Sequence, residues 1–155
     1  MLLERRYEAL YGRADMSAAA IDDLASQLGV DVPPDVRQIA SFYDGGTVGG
    51  VDHYSFSTNV PSTNAVAETL RLRQAISLPH QFVVLAEPPE SLIVLDTSPA
   101  AGEPAVLWID AMDARRLGRS PLLSEPNVWQ TYADFFSDLL QNEEEERAES
   151  SGVSM

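Results

Sequence analysis

His53 and His80 are the first candidates for acid–base or metal chemistry in this chain. His53 follows Asp52 in a stretch that alternates apolar and polar residues, a pattern that predicts a strand. Neighbouring residues on a strand point to opposite faces, so this pair is poorly placed to act as a catalytic dyad. His80 follows Pro79 in a predicted turn. We therefore expect two inert histidines, with His53 on the surface, and no metal site built on histidine.

Glu87 and Glu90 are the second candidates, as the general acid and base of a hydrolase. Pro88 and Pro89 stand between them and predict an open turn, where carboxylates are exposed to water. A catalytic acid needs a desolvated environment, so an exposed pair is unsuited to this work. The chain also has no Asp-x-Asp-x-Asp loop, so we expect no metal held by oxygen ligands.

The glycine-rich run at residues 44–50 could cradle a phosphate with its backbone amides. A phosphate-binding loop follows a strand, precedes a helix and contains a lysine, whereas this run has none of these features. The end of a helix followed by turns explains the glycines fully. The sequence therefore predicts no cofactor.

The residue types that are missing narrow the chemistry further. The chain has no cysteine, which excludes disulfides, thiolate metal ligands and cysteine nucleophiles. Every basic residue is an arginine, so no lysine is present to form a Schiff base or to act as a general base. We expect that the protein is not an enzyme.

The chain is strongly acidic, with 24 acidic and 10 basic side chains and a formal net charge of −14. Residues 143–155 contribute five acids and one base, so the net charge of the remainder is still −10. Such a charge disfavours binding to nucleic acid. Two interpretations remain open: the charge serves solubility, or an acidic face steers a basic partner, such as a nuclease, toward the protein.

The location of the protein is predicted from the absence of apolar runs. None approaches the roughly 20 residues that cross a bilayer. Glu4, Arg5 and Arg6 directly follow two leucines, and no apolar stretch typical of a secretion signal comes after them. We expect a cytoplasmic protein without a membrane partner, present as a monomer or a weak dimer.

The spacing of apolar residues predicts a series of elements separated by turns rich in glycine and proline. Trp108 stands in the middle of a predicted strand, and we expect it in the core. Low hydrophobicity and high charge predict a disordered tail at residues 142–155. The predicted elements are helices at residues 3–11, 17–28 and 33–43, a strand at 51–60, a helix at 62–76 with Val66, Leu70 and Ile76 on its apolar face, strands at 82–85, 92–95 and 106–109, and a helix from Thr131 that buries Tyr132, Phe135, Phe136 and Leu139.

This order predicts one α+β domain over residues 1–141. Its mainly antiparallel sheet is expected to have about four to six strands, packed with the N-terminal helices and a C-terminal aromatic helix.

Several segments, taken in order, resemble the SUKH superfamily. Residues 21–46 resemble its opening motif. The motif consists of an acidic helix, a glycine, an apolar-proline step and a second helix with a Tyr-Asn-Gly-like ending. Asp44 stands where asparagine is more usual in that ending. Residues 92–96 and 106–110 resemble two central strands that end in an acid, and residues 131–136 resemble the closing helix. The order and spacing of these segments carry the resemblance.

The resemblance implies an α+β protein that binds another protein. Many bacterial members are immunity proteins that neutralise secreted polymorphic or contact-dependent toxins, so the leading hypothesis is binding to the C-terminal domain of a cognate toxin. The alternative is a regulatory scaffold, as in the eukaryotic branch that includes a yeast regulator of cell-wall synthesis. A small hydrolase using exposed carboxylates is a distant third. The predicted toxin contacts on the acidic surface are Asp44, Asp52, Tyr54, Glu87, Glu90, Asp96, Asp110 and Asp113.

Overall fold

The computed structural model describes residues 2–13, 19–58 and 64–153. Its elements are α1 (Leu2–Tyr11), α2 (Ala19–Leu28), α3 (Pro34–Ala40), β1 (Gly46–Val48), β2 (Val51–His53), α4 (Ala65–Ile76), β3 (Phe82–Ala86), β4 (Ser91–Asp96), β5 (Val106–Asp110), a 3-10 helix (Ala111–Arg116), β6 (Asn127–Trp129) and α5 (Tyr132–Val153). The strands form an antiparallel meander in the order β3-β4-β5-β6 and a separate β1-β2 hairpin. The predicted α+β class, with its antiparallel sheet and flanking helices, is confirmed.

The sheet is covered on both faces, and alternate residues of its strands pack into the apolar clusters on opposite sides. Ile93 and Leu95 of β4 join the larger core, which the sheet forms with α2, α3 and α5. Leu92 and Val94 of the same strand join a smaller cluster with Leu72 of α4. Strands buried on both faces read as continuous apolar runs, which explains the composition of β3 and β4.

The N-terminal helices form where the apolar spacing predicts them. Ile21, Leu24 and Leu28 make up the buried face of α2. Helix α3 begins with Pro34. Proline is tolerated there because the N–H groups of the first helical turn have no acceptor within the helix. The predicted cap of α2, Ser17, lies outside the described residues.

Helix α4 begins at Ala65, after Asn64, whose side-chain oxygen accepts a 2.7 Å hydrogen bond from the Ala67 N–H. The first two residues of the predicted helix, 62 and 63, lie outside the described part of the chain. The buried face differs from the prediction: Leu70 is exposed and Leu72 is buried. The Thr69 hydroxyl decides this orientation, since it accepts a 2.9 Å hydrogen bond from the β3 backbone.

The strand predicted at residues 51–60 is wrong in its length. Strand β2 ends at His53, and the Tyr54 N–H turns to the carbonyl of Leu85, 2.9 Å away. Gly45 allows this path, because a Cβ there would lie 2.7 Å from the Tyr54 carbonyl oxygen. Residues 59 and 60 lie outside the described part of the chain. The sequence patterns also missed the short strands β1 and β6 and the 3-10 helix.

Residues 142–153 of the predicted disordered tail, 142–155, belong to α5, which continues to Val153, and residues 154 and 155 lie outside the described part of the chain. Arg6 of α1 binds Glu144 at 2.9 Å, and the Tyr11 hydroxyl donates to Glu143 at 3.2 Å. The C-terminal part of α5 is therefore held by α1, at the other end of the chain. Local composition does not reveal this contact. Neither α5 nor any other described helix is both long and apolar enough to cross a membrane.

Candidate functional site

Three of the predicted contact residues converge at one end of the four-stranded sheet. Glu87 and Glu90 belong to the turn between β3 and β4, and Asp110 ends β5. Ser91 is paired with Asp110 across the sheet, and the Ala111 N–H donates a 2.9 Å hydrogen bond to the Glu90 carbonyl. We call this part of the surface, defined by Glu87, Glu90 and Asp110, the acidic end.

The backbone at Glu90 is held in a conformation that L-residues rarely adopt. Its φ is 59°, in the left-handed region, which costs about 1–2 kcal/mol for a residue other than glycine. Two hydrogen bonds hold the turn, from the Ser91 N–H to the Pro88 carbonyl and from the Ala111 N–H to Glu90. The turn is therefore a preformed part of the surface.

Asp110 positions an exposed methionine. Its carboxylate caps the 3-10 helix by accepting a 2.8 Å hydrogen bond from the Met112 N–H. Met112 is 83% exposed, the most exposed of the large apolar side chains in the described part of the chain. A flexible thioether standing in water beside three carboxylates is suited to contact a partner protein.

Sequence reasoning did not select Met112, because a single apolar residue in a turn has no distinguishing pattern. The only available signal was its place, two residues after the acid that ends a predicted strand.

An apolar groove of about 280 Å³ opens beside Met112. Leu72 and Ile76 of α4 and Leu92 of β4 form its apolar walls, with Glu87 on the rim. Arg115 lines the groove as well, so the acidic end combines an apolar depression with charged side chains of both signs, as protein-binding surfaces with a dry centre and a polar rim do.

Arg71 offsets part of the charge at the acidic end. It forms ion pairs with Glu87 of the turn and with Glu68 of α4. Tyr54 is half-buried against this group, and burial, followed by the charge of Glu87, raises the pKa of its hydroxyl to about 12. Tyr54 therefore remains a neutral phenol that can donate a hydrogen bond at neutral pH.

Asp44 and Asp52 do not join the acidic end but form hydrogen bonds with residues near them in the chain. The Asp44 carboxylate accepts hydrogen bonds from the Phe56 and Ser57 N–H groups at 2.8 and 3.0 Å. Asp52 is exposed on the β1-β2 hairpin and accepts a hydrogen bond from the Thr47 hydroxyl.

Asp96 lies at the far end of β4 from Ser91. At about 3.3 Å per residue, five residues of strand separate these two ends by about 17 Å.

Asp113 is buried, with an exposure of 1%, which corrects its selection as a direct contact. Its two carboxylate oxygens accept hydrogen bonds from the Leu123 and Ser124 N–H groups at 2.9 and 3.0 Å. Arg116 lies 3.9 Å from the same carboxylate. Asp113 therefore anchors the loop between the 3-10 helix and β6 rather than facing a partner.

His53 is also buried, so its predicted surface position is wrong. Its ring lies against Tyr43 and Phe135, and Nδ1 is 3.1 Å from the Val51 carbonyl oxygen. Burial lowers its pKa to about 4, against smaller opposing effects of the backbone and of Asp52. The sequence did indicate that His53 is buried, because alternation along the strand places it on the same face as the apolar Val51.

Trp108 is half-buried and packs against the larger core, in agreement with its predicted role. Among the described residues, no group of three or more histidine, aspartate or glutamate side chains is placed to hold a metal ion.

The model of the SMI1 / KNR4 family (SUKH-1) matches residues 16–142, most of the chain. The chain belongs to the SUKH-1 family. The matched region contains the whole four-stranded sheet and all the predicted contact residues. No curated protein matches the chain.

Two parts of this SUKH-1 protein lie outside the match, and they pack on each other. Helix α1 precedes the matched region, and residues 143–153 of α5 follow it. Besides the Arg6–Glu144 pair, Arg147 donates a 2.6 Å hydrogen bond to the Leu10 carbonyl. The guanidinium of Arg147 also lies 5.3 Å from the ring centre of Tyr11. The SUKH-1 domain is thus extended at both ends by a joined pair of helical segments.

Proposed function

We propose that this protein is an immunity protein that binds the C-terminal domain of a cognate secreted toxin and neutralises it. The observation that carries the proposal is the SUKH-1 match over residues 16–142, because members of this family are immunity or regulatory proteins rather than enzymes. Neutralisation by binding needs a preformed surface and no catalytic group. We place this function in the cytoplasm, where an incoming toxin would act.

The net charge of −14 supports a basic toxin, and a nuclease fits best. A nuclease needs a basic cleft to hold phosphates, so an acidic inhibitor can use the same potential. Charge complementarity of this kind raises association rates by roughly 10–1000-fold at low salt.

The acidic end is the surface that we assign to toxin binding. Its turn at Glu90 is held by hydrogen bonds before any partner arrives, so little conformational entropy is lost on binding. Met112 and the adjacent groove supply apolar contacts, while Glu87 and Asp110 supply the charge.

The function is tested by co-expression with the C-terminal domain of the secreted protein encoded directly upstream. Cells producing that domain should survive when this protein is present, and cells producing unrelated toxin domains should not. Failure to protect, combined with a growth or envelope defect on deletion without any toxin, would overturn the proposal in favour of a regulatory scaffold.

The surface is tested with two variants of equal net charge. The first carries Glu87→Gln, Glu90→Gln and Asp110→Asn; the control carries Asp23→Asn, Glu146→Gln and Glu149→Gln, three exposed acids elsewhere on the surface. At low salt we expect the first to associate with the toxin at least about 10-fold more slowly than the control. Equal slowing of both would show that total charge, and not this end, directs binding.

Met112→Ala tests the apolar part of the same surface. Loss of an apolar contact at an interface acts mainly on dissociation, so we expect complexes to dissociate about 10-fold faster. Leu123→Ala is the control, since Leu123 is also largely exposed but does not line the groove. An unchanged dissociation rate for Met112→Ala would remove the groove from the binding surface.

A further inference from the structure

On the face of the sheet that carries the smaller apolar cluster, two apolar side chains of β5 and β6 remain partly open to water. Residues directly opposite each other in antiparallel strands lie on the same face. Leu107 of β5 is opposite Val94 of the smaller cluster, and Val128 of β6 is opposite Leu107. Leu107 is half-buried, and Val128 is 44% exposed. We call Leu107 and Val128 the apolar strip.

A cavity of about 340 Å³ opens beside Leu107 on this face. It lies between the end of β4, the loop that leads to β5 and the loop that follows the 3-10 helix. Its apolar lining includes Phe82, Leu117 and Leu122, which belong to the smaller cluster or pack against it. The volume is near the lower limit of the roughly 300–1,000 Å³ of ligand sites, so the cavity has room for one large side chain.

Asp96 lies at this cavity because of its position in β4. Leu92 and Val94 of the same strand belong to the smaller cluster, and alternation places Asp96 on their face of the sheet. Its partner across the sheet is Phe82, which also belongs to that cluster. Asp96 is half-buried and is one of the residues that line the cavity.

The Asp96 carboxylate has no cationic partner in the described part of the chain. One of its oxygens accepts a 2.9 Å hydrogen bond from the Ser98 N–H, and none of the ion pairs between described residues includes it. Burial raises the pKa of Asp96, and the Ser98 hydrogen bond opposes this effect. Glu103 adds a second acid to the cavity, and no basic residue lines it. A cation that entered the cavity would therefore be stabilised by two carboxylates beside an apolar surface.

We propose that this cavity receives an arginine of a partner protein and that an apolar residue next to that arginine packs on the apolar strip. The guanidinium donates hydrogen bonds to Asp96, while the aliphatic part of the arginine contacts the apolar lining. Arginine fits better than lysine, because its planar group presents several donors in fixed directions and is more weakly hydrated.

The charge of the chain decides what kind of partner this is. Two copies of the chain, each with a net charge of −14, repel each other, so the occupant is a different and basic protein. The apolar strip extends outside the cavity, which favours a polypeptide over free arginine. The site lies at the other end of β4 from the acidic end, and it does not depend on the immunity function.

The probe for this site is the capped tripeptide acetyl-Leu-Arg-Leu-amide, titrated into the ¹⁵N-labelled full chain and followed by NMR. The control peptide has citrulline in place of arginine, which keeps the shape and removes the charge. We expect saturable shifts of the Phe82, Asp96 and Leu107 amides, with the arginine peptide binding at least about 10-fold more tightly, as charge-assisted hydrogen bonds require. Equal binding of the two peptides, or shifts confined to the acidic end, would overturn the proposal.

Two acid variants test the polar contacts. Asp96→Asn keeps an oxygen for the Ser98 N–H and should reduce the affinity for the arginine peptide at least about 10-fold. Glu103→Gln, in an exposed loop, should reduce it about 2-fold. Asp23→Asn, a charge-matched change on the exposed side of α2, should leave it unchanged. Full affinity in Asp96→Asn, or equal losses in all three variants, would contradict the assignment.

Val128→Ala tests the apolar strip and should weaken binding of the arginine peptide about 3-fold, because part of an apolar contact is lost. Leu70→Ala is the control, since Leu70 is also 44% exposed but lies on α4 away from the cavity lining. Equal effects of the two substitutions would remove the strip from the site. Tighter binding of free L-arginine than of the capped peptide would identify a small-molecule site and overturn the protein-partner assignment.

Discussion

Arg6 and Glu144 lie 138 residues apart in the chain and form a two-point ion pair, with Nε–Oε2 and Nη2–Oε1 distances of 3.1 and 2.9 Å. Arg6 also donates a 2.9 Å hydrogen bond to the Ser137 hydroxyl. The hydrogen bond from Arg6 lowers the pKa of Glu144. This relationship joins α1 to the C-terminal part of α5.

The first prediction concerns this pair. Arg6→Ala should lower the free energy of unfolding by about 1 kcal/mol, since the pair is partly exposed and screened by water. Amide hydrogen exchange in residues 143–150 should accelerate, because that part of α5 loses its partner. Arg5→Ala is the control on the exposed side of α1. Equal effects of the two substitutions, by denaturant unfolding and exchange, would contradict the role of Arg6.

The second prediction concerns pH and His53. Its pKa is about 4 in the folded state against an ordinary value of 6.5, so the unfolded chain binds the extra proton between these values. Stability is therefore complete above about pH 6.5 and falls as the pH drops toward 4, by about 3 kcal/mol from this residue. His53→Gln should flatten this part of the stability curve. An NMR titration that found His53 protonated at pH 6 would show the prediction to be wrong.

The third prediction separates an anchoring role of Asp113 from a role in partner binding. Asp113→Ala leaves the Leu123 and Ser124 N–H groups without their acceptor and should cost about 2–4 kcal/mol of stability. Hydrogen exchange at those two amides should accelerate more than elsewhere. Asp23→Ala, at an exposed position, provides the baseline. A variant of unchanged stability that lost partner binding would restore Asp113 to the contact surface.

The fourth prediction compares two neighbouring glycines. Both Gly49 and Gly50 have positive φ, but a Cβ on Gly49 would lie 2.5 Å from the Leu139 carbonyl oxygen, whereas a Cβ on Gly50 would meet nothing within 4 Å. Gly50→Ala should cost about 1–2 kcal/mol through backbone strain alone. Gly49→Ala should cost about 1–3 kcal/mol more, because α5 must move away. Similar unfolding free energies for the two variants would mean that the hairpin and α5 separate easily.

Much of the fold was accessible from the sequence, because local patterns reflect local forces. The stripe of Ile21, Leu24 and Leu28 predicted α2, and the apolar runs at residues 82–85 and 92–95 predicted strands. The strand predicted at residues 51–60 failed because its end depends on non-local hydrogen bonds. Asp44 accepts the Phe56 N–H, and the Tyr54 N–H binds Leu85.

The candidate site was only partly accessible. Glu87, Glu90 and Asp110 were selected as acids on loops and strand ends, but the pairing of Ser91 with Asp110 is what brings them together. Sequence alone gave no reason to separate them from Asp96, which the direction of β4 carries to the other end of the sheet.

By itself, the sequence determined the order of the main helices and of strands β3 to β5, the acidic charge, the absence of cysteine and lysine chemistry and the resemblance to the SUKH superfamily. These properties depend on composition and on spacing within a few residues. The tertiary structure decided which side chains are exposed: it buried His53 and Asp113 and left Met112 in water. It also ordered the end of α5 through Arg6. Burial and long-range pairing depend on residues distant in the chain, so no local pattern contains them.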